Sequence, residues 1–384
     1  MKASSQSSEV IILGAGASAS FTPIEYPFKG TLVPFPMAND FFEKAIKYNI
    51  LKDRNVLGQP LHRLLLDFIQ NNFGLSFEDL KMSKLSVEEV YAKLDISIGK
   101  LNKSKDISEE ELNLYLAKQD LLKIIEELLS KLCRYYGPCK HHAILAKYIV
   151  EKESVVISFN WDTLMDSALQ NSNEWFYETG YGIKFQRVYI NKKEISEGMR
   201  RSKGLLLKPH GSTNWFRYQD FYWSDTNGFT CEPVSKKEME ETFLFEFLKG
   251  EPPRIHPIHM RLNLGKNYAP LLKMPVEIDI IPPVLLGKRT KLMERPAFKT
   301  IWDKANAAIK KAGRIIAIGY ALKETYIESN FNRARKGSNS PLLLTLVNRS
   351  IDDPKFLKLY KKVFNPDSIE VFHSFEDFCE TLSF

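Results

Sequence analysis

Val10-Ile11-Ile12-Leu13-Gly14-Ala15-Gly16-Ala17-Ser18-Ala19 decides the fold. Four consecutive apolar residues, three of them β-branched, predict a strand buried on both faces. The run then breaks into G-x-G-x-x-A, the glycine pattern that joins strand to helix in dinucleotide-binding folds, with alanine in its last place. In such a turn the first glycine allows a tight bend and the second lets the backbone approach a pyrophosphate. The small last residue lets the next helix sit close to the strand, its free N–H groups aimed at a phosphate. The plainer reading of these residues is a strand-to-helix turn that binds nothing. An ordinary dinucleotide fold also has a second strand about 20 residues on, ending in the Asp or Glu that holds a ribose. Here the chain from Phe21 to Pro36 carries prolines at 23, 27, 34 and 36. That predicts a loop, and a standard dehydrogenase site is not expected.

A chain of 384 residues can bury a large core, as one domain with insertions or as two domains. Its composition, 44% hydrophobic and 26% charged, is that of a globular protein rather than a disordered one. The net charge of +7 is spread over short pairs such as Lys192-Lys193 and Lys310-Lys311, which suits an anionic ligand or a lysine-rich surface. No dense basic run is present, and direct nucleic-acid binding is not expected. Four scattered cysteines (133, 139, 231 and 379) form no disulfide framework. Met1 to Ser8 lacks the apolar centre of a signal peptide, and no run of about 18 apolar residues occurs. A cytoplasmic protein with no membrane segment is expected.

Helical spacing predicts helices over 38–48 and 61–73, the latter with Leu61, Leu64, Leu65, Phe68 and Ile69 on one face. Capping boxes at Ser86–Glu89 and Ser108–Glu111 open two more, the second running through Leu112 to Leu132 until Gly137-Pro138 stops it. A further helix follows at 141–150. Strands resume at 154–159 and 205–208, then at 315–318, 342–347 and 369–372. A short helix is expected at 163–169, another at 236–248 and an amphipathic one at 297–312. Buried strands alternating with helices predict an α/β fold: a Rossmann-like doubly wound parallel sheet with a helical insertion after the first strand. The whole chain, 1–384, is then one domain. Residues 1–39 and 151–384 form its core, with 213–282 an irregular insertion, and 40–150 form the helical insertion.

Polar residues stand just past the carboxyl ends of successive strands: Ser18, Asn160 with Asp162, His210, Tyr320 after Gly319, and Asn348. Ligands of open α/β sheets bind outside those ends. Each residue has a plainer role, since Asn or Asp after a strand caps the next helix and His beside Gly is a turn residue. As a set they point to a site. The order G-A-G-A-S, S-F-N-W-D, K-P-H-G-S, I-G-Y and V-N resembles the sirtuin family of NAD-consuming enzymes, over roughly 10–22, 154–216 and 282–384. The resemblance implies that Gly14, Ala15, Gly16 and Ser18 hold phosphates. It implies that Asn160 positions a water or the ribose, that Asp162 binds the nicotinamide carboxamide and that His210 is the general base on the ribose hydroxyls. Gly319 and Asn348 then contact the phosphate and adenosine side, and Tyr320 stands where the family has a small hydroxyl residue.

Protein-deacylating sirtuins carry a four-cysteine zinc module after the catalytic His. Between His210 and Cys379 this chain has only Cys231, so no such ribbon forms. Cys133, Cys139, His141 and His142 have unusual spacing for a metal, and a buried thiol pair with surface histidines is expected instead. The resemblance therefore implies an NAD+ hydrolase, an NADase releasing ADP-ribose and nicotinamide, with NAD as substrate and no metal. It points to the members that deplete NAD in bacterial anti-phage defence by abortive infection, acting with a HerA-type ATPase. A non-catalytic NAD or ADP-ribose sensor and a zinc-less deacylase are the rival readings. The leucine-rich faces of 61–73 and 112–132 suggest either mutual packing or a homo-oligomer interface.

Overall fold

The computed structural model describes residues 8–21, 35–52, 54, 58, 61–100, 109–136, 138–185, 188–190, 193–194, 200–217, 221–225, 229–233, 243–246, 277–280, 295–336, 338 and 340–382. Pro23, Pro27, Pro34 and the expected cap Ser108 lie outside them.

The chain opens with β1 (Ser8–Leu13) and the short α1 (Ala15–Ala19). Helices follow: α2 (Phe41–Lys47), α3 (Arg63–Phe73), α4 (Phe77–Leu80), α5 (Val87–Lys100), α6 (Glu109–Tyr136) and α7 (Lys140–Lys152). Then come β2 (Val155–Ser158), α8 (Leu164–Gln170), α9 (Tyr177–Gly180), β3 (Val188–Ile190), β4 (Lys193–Glu194), β5 (Leu205–Leu207) and β6 (Gly211–Arg217). Strands β7 (Phe221–Asp225), β8 (Phe229–Pro233), β9 (Phe243–Glu246) and β10 (Glu277–Ile280) lead to α10 (Pro296–Lys311) and β11 (Ala312–Ile318). The chain ends through α11 (Thr325–Lys336), β12 (Leu343–Val347), α12 (Pro354–Phe364), β13 (Ser368–Phe372) and α13 (Phe375–Thr381).

Six of these strands form one sheet in the order β13-β12-β11-β1-β2-β5, with every neighbouring pair parallel. Numbered among themselves along the chain they run 3-2-1-4-5-6 across it, the order of doubly wound dinucleotide folds. The α/β, Rossmann-like fold is as expected. Val10, Ile11, Ile12 and Leu13 are all fully buried, because helices cover both faces of the sheet. Each such side chain contributes about 1.5–3 kcal/mol relative to exposure.

The helices between β1 and β2 have a core of their own. Leu65 and Ile69 of α3 and Val90 of α5 pack with Leu121, Ile125 and Leu128 of α6. The leucine-rich faces thus cover each other within the chain. Leu164 and Phe216 join this core and tie it to the strand-following segments of the sheet. The stretch 213–282, expected to be irregular, carries strands in its described parts. β10, β6, β9, β3 and β4 form a second sheet, and β7 pairs with β8. Of the helix expected at 236–248, residues 236–242 and 247–248 lie outside the described residues, and Phe243–Glu246 is a strand whose Phe243 and Leu244 pair with Phe216 and Trp215. Pairing with β6 holds this segment as a strand.

Candidate active site

Parallel register brings three turns together. Leu13 is level with Ser158 of β2 and with Ile318 of β11, so the residues after all three strands meet at one sheet edge. This is the point between β1 and β11 where the strand order reverses. The Gly14 N–H donates to the Ile318 carbonyl at 3.0 Å and the Gly16 N–H to the Gly319 carbonyl at 3.0 Å. A Cβ on Gly16 would lie 2.7 Å from the Gly319 Cα, and one on Gly319, whose φ is +60°, would lie 2.2 Å from the Ala17 nitrogen. The fingerprint glycines therefore serve a close approach between two backbone turns. What approaches Gly16 is Gly319, where the sequence suggests a pyrophosphate.

Around this junction the polar side chains interlock. The Asn160 amide donates from Nδ2 to the Gly14 carbonyl (3.0 Å) and to Ser18 Oγ (2.9 Å). Ser18 Oγ in turn donates to Asp162 Oδ2 at 2.7 Å. Asp162 Oδ1 accepts the Leu164 N–H at 3.0 Å, an Asx turn leading into α8, whose N-cap is Thr163. Both Asn160 amide protons are thus committed, which fixes the direction of its Oδ1 as an acceptor.

His210 follows β5 and is 1% exposed, with no hydrogen-bond partner at either ring nitrogen. Phe159 packs on it edge-on at 4.9 Å and stacks on Tyr320 at 4.6 Å. Burial pushes the His210 pKa from 6.5 down to about 3, the Phe159 backbone offsetting part of that. His210 is therefore neutral near pH 7 and takes part in the site as a hydrogen-bonding imidazole.

A residue that the motifs do not single out as functional ties the turn after β2 to the turn after β5. Lys208, fully buried at the end of β5, donates from Nζ to the Asp162 carbonyl (2.6 Å), Ser212 Oγ (2.7 Å) and Asp166 Oδ2 (3.1 Å). Asp166 also accepts from Tyr181, whose hydroxyl accepts from Asn214 Nδ2. A lone lysine ending the apolar run Leu205-Leu206-Leu207 was the signal, since a buried charge needs a partner.

These groups open on a cavity of about 570 Å³. Gly14, Ala15, Ser18, Asn160, Asp162, His210, Gly319 and Tyr320 line it. Gly16 and Asn348 are not among its lining residues. Asn348 Nδ2 instead donates to the Tyr320 carbonyl at 3.2 Å, beside the Tyr360 hydroxyl at 2.8 Å, and so braces the turn from behind. The lining also includes three carboxyl groups that the motifs do not point to, Glu88 and Glu89 at the start of α5 and Glu324 ahead of α11. Tyr320 Oη donates to Glu324 Oε2 at 2.8 Å. Glu88 is raised from 4.5 to about 7, first by burial, then by the charges of Glu324 and Glu89, with Lys323 opposing.

The cysteine–histidine cluster lies elsewhere. His142 Nδ1 is 3.1 Å from Cys139 Sγ, and both His141 and His142 are buried against Phe375 of α13. They are not the surface histidines expected, because α7 packs this face on α13. Among the described residues no group of three or more His, Cys, Asp or Glu is placed to hold a metal ion, and no helix is long and apolar enough to cross a membrane.

No protein-family model matches the chain, and no curated protein matches it. Among solved structures, one described as "The Structural basis of Sirtuin Substrate Affinity" is similar at 12% identity and a TM-score of 0.34. The match covers 74% of this chain and 82% of that one, a likeness too distant to bear on function.

Proposed function

We propose that the chain is a sirtuin-like NAD+ glycohydrolase, which cleaves NAD+ with water to ADP-ribose, nicotinamide and a proton. The observation that carries this is the junction of Asn160, Ser18 and Asp162 with an unpartnered, buried His210, all facing one cavity at the strand-order reversal. In the reaction the ribose C1′–nitrogen bond breaks and its electron pair goes to nicotinamide. The transition state is oxocarbenium-like, so the protein must orient the ring, stabilise positive charge and admit water on one face. Asn160 Oδ1 orients that water or a ribose hydroxyl. His210, neutral, accepts a hydrogen bond from a ribose hydroxyl and steers it. Asp162 supplies negative charge near the departing ring, and the proton released from water leaves to solvent.

Incubation of the purified chain with NAD+, alone and with its genomic neighbour's product, is expected to release nicotinamide. Tight NAD+ binding without release in either condition assigns the chain to the sensor class instead. Action in anti-phage defence with a HerA-type ATPase is supported by the family resemblance. Self-association has the same support, since the leucine-rich helix faces that first suggested it are covered within the chain.

A further inference from the structure

Dinucleotide folds hold a ribose with a carboxylate at the end of the second strand. Here β2 ends in Ser158, with Phe159 after it, so that position offers none. The carboxyl groups come from elsewhere: Glu88 from the helical insertion and Glu324 from the turn after β11. We propose that Glu88 and Glu324 form the sugar-recognising wall of this cavity, taking the free 2′,3′-diol of a nucleotide ribose and rejecting a 2′-phosphate.

Four observations carry the assignment, which rests on the nucleotide-binding reading given above. Both groups line the same cavity as Asn160 and His210. His210 lines that cavity, is 1% exposed and has no partner at either ring nitrogen, so its imidazole can bond a hydroxyl group. The contacts are continuous from one wall to the other: His210 against Phe159, Phe159 stacked on Tyr320, and the Tyr320 hydroxyl on Glu324. Finally, the wall is acidic on balance, with Glu88, Glu89 and Glu324 against the cation Lys323. Glu88 faces Glu324 and Lys323 from the turn after β11 and Glu89 from its own helix, and its carboxyl holds a proton up to about pH 7. A carboxyl group bonds the hydroxyls of a vicinal diol in either protonation state, and the diol brings no charge. A phosphate brings nearly two negative charges to a wall that already repels its own.

Equilibrium binding of ADP-ribose and of 2′-phospho-ADP-ribose, neither of which carries a nicotinamide to be cleaved, tests this directly. The wild-type chain is expected to prefer ADP-ribose by at least roughly 30-fold. In Glu88→Gln/Glu324→Gln that preference is expected to collapse to within roughly 3-fold, by weaker binding of the diol and stronger binding of the phosphate. Glu88→Asp keeps the charge with a shorter reach. It is expected to lose diol affinity while still rejecting the phosphate, which separates recognition from a folding defect. Equal affinity for the two probes in the wild type, or an unchanged preference in the double glutamine variant, overturns this inference and leaves NAD+ cleavage standing. Failure of both probes and of NAD+ to bind overturns the nucleotide reading and this inference together.

Discussion

The two walls of the cavity are built on opposite principles. On the sheet side the polar groups interlock around His210: Asn160 holds Ser18 and Gly14, Ser18 holds Asp162, and Lys208 sits between Asp162, Asp166 and Ser212. On the helical side, Glu88 is pressed toward like charges. A satisfied polar network rigidifies the positions of its members, whereas a frustrated one stores unfavourable energy that a ligand or a proton relieves. The sheet wall is suited to placing reacting atoms, and the helical wall to discriminating what enters. Helices from the insertion thus do more than pad the fold.

Breaking the matched wall should have the largest effect. Lys208→Met keeps much of the side-chain volume but leaves the Asp166 carboxylate buried without its cation. Removing one partner of such a pair costs about 3–5 kcal/mol. Urea denaturation at pH 7 is expected to show a loss of that size and a lower midpoint. A loss under about 1 kcal/mol would mean the pair is screened and does not brace the turns. The double change Lys208→Met/Asp166→Leu is expected to recover part of the loss, because no orphaned charge remains.

Next in size are effects on turnover. Asn160→Ala and His210→Ala are each expected to lower nicotinamide release at least roughly 100-fold, the usual scale for a positioned polar group. The His210 variant also carries a signature in stability. Its folded pKa of about 3 lies below the ordinary 6.5, so between those values the unfolded chain binds more protons. That contribution is fully present above pH 6.5 and is lost as pH falls toward 3. His210→Asn is therefore expected to flatten the acid limb of stability over that window. An unchanged acid limb, with full turnover retained, would remove His210 from the site.

Much of the sheet was legible because its signal is local. Val10 to Leu13, Ile315 to Ile318 and Leu343 to Val347 are apolar runs bounded by Gly or Asn, and parallel strands buried on both faces read that way. The positions of Asn160, His210, Gly319 and Asn348 past the strand ends were legible for the same reason, since each stands within three residues of such a run. What stayed hidden depends on long-range register. β9 is a strand because β6 lies beside it, and nothing in 236–248 alone says so. Gly16 looks like a phosphate contact until Gly319 is seen against it. Glu88 reads as part of a helix cap, and its N–H does donate to Ser86 Oγ at 3.2 Å. Only the packing of α5 over the sheet edge makes its carboxyl part of a site. His141 and His142 were misplaced because their partner, Phe375, lies more than two hundred residues further along the chain.

The smallest effect expected is also the sharpest test of the contrast between the walls. Glu88 has a folded pKa of about 7 against an ordinary 4.5. Between those values the folded chain binds more protons than the unfolded one, so stability falls as pH rises through this window. Above it the full penalty of the ionised carboxylate remains. Glu88→Gln imitates the protonated form and carries no such penalty. At pH 8 it is expected to be more stable than the wild type by on the order of 2 kcal/mol, and at pH 4 the two should coincide. Burial is the first cause of the shift and Glu324 the second, so in a Glu324→Gln background the gain at pH 8 should shrink without vanishing. Denaturant titrations of the four proteins at pH 4, 6 and 8 measure this. A gain independent of pH would trace to helix propensity or packing rather than to charge. A wild type more stable than Glu88→Gln at pH 8 would mean that Glu88 has a favourable partner when ionised, and that the helical wall is matched like the other.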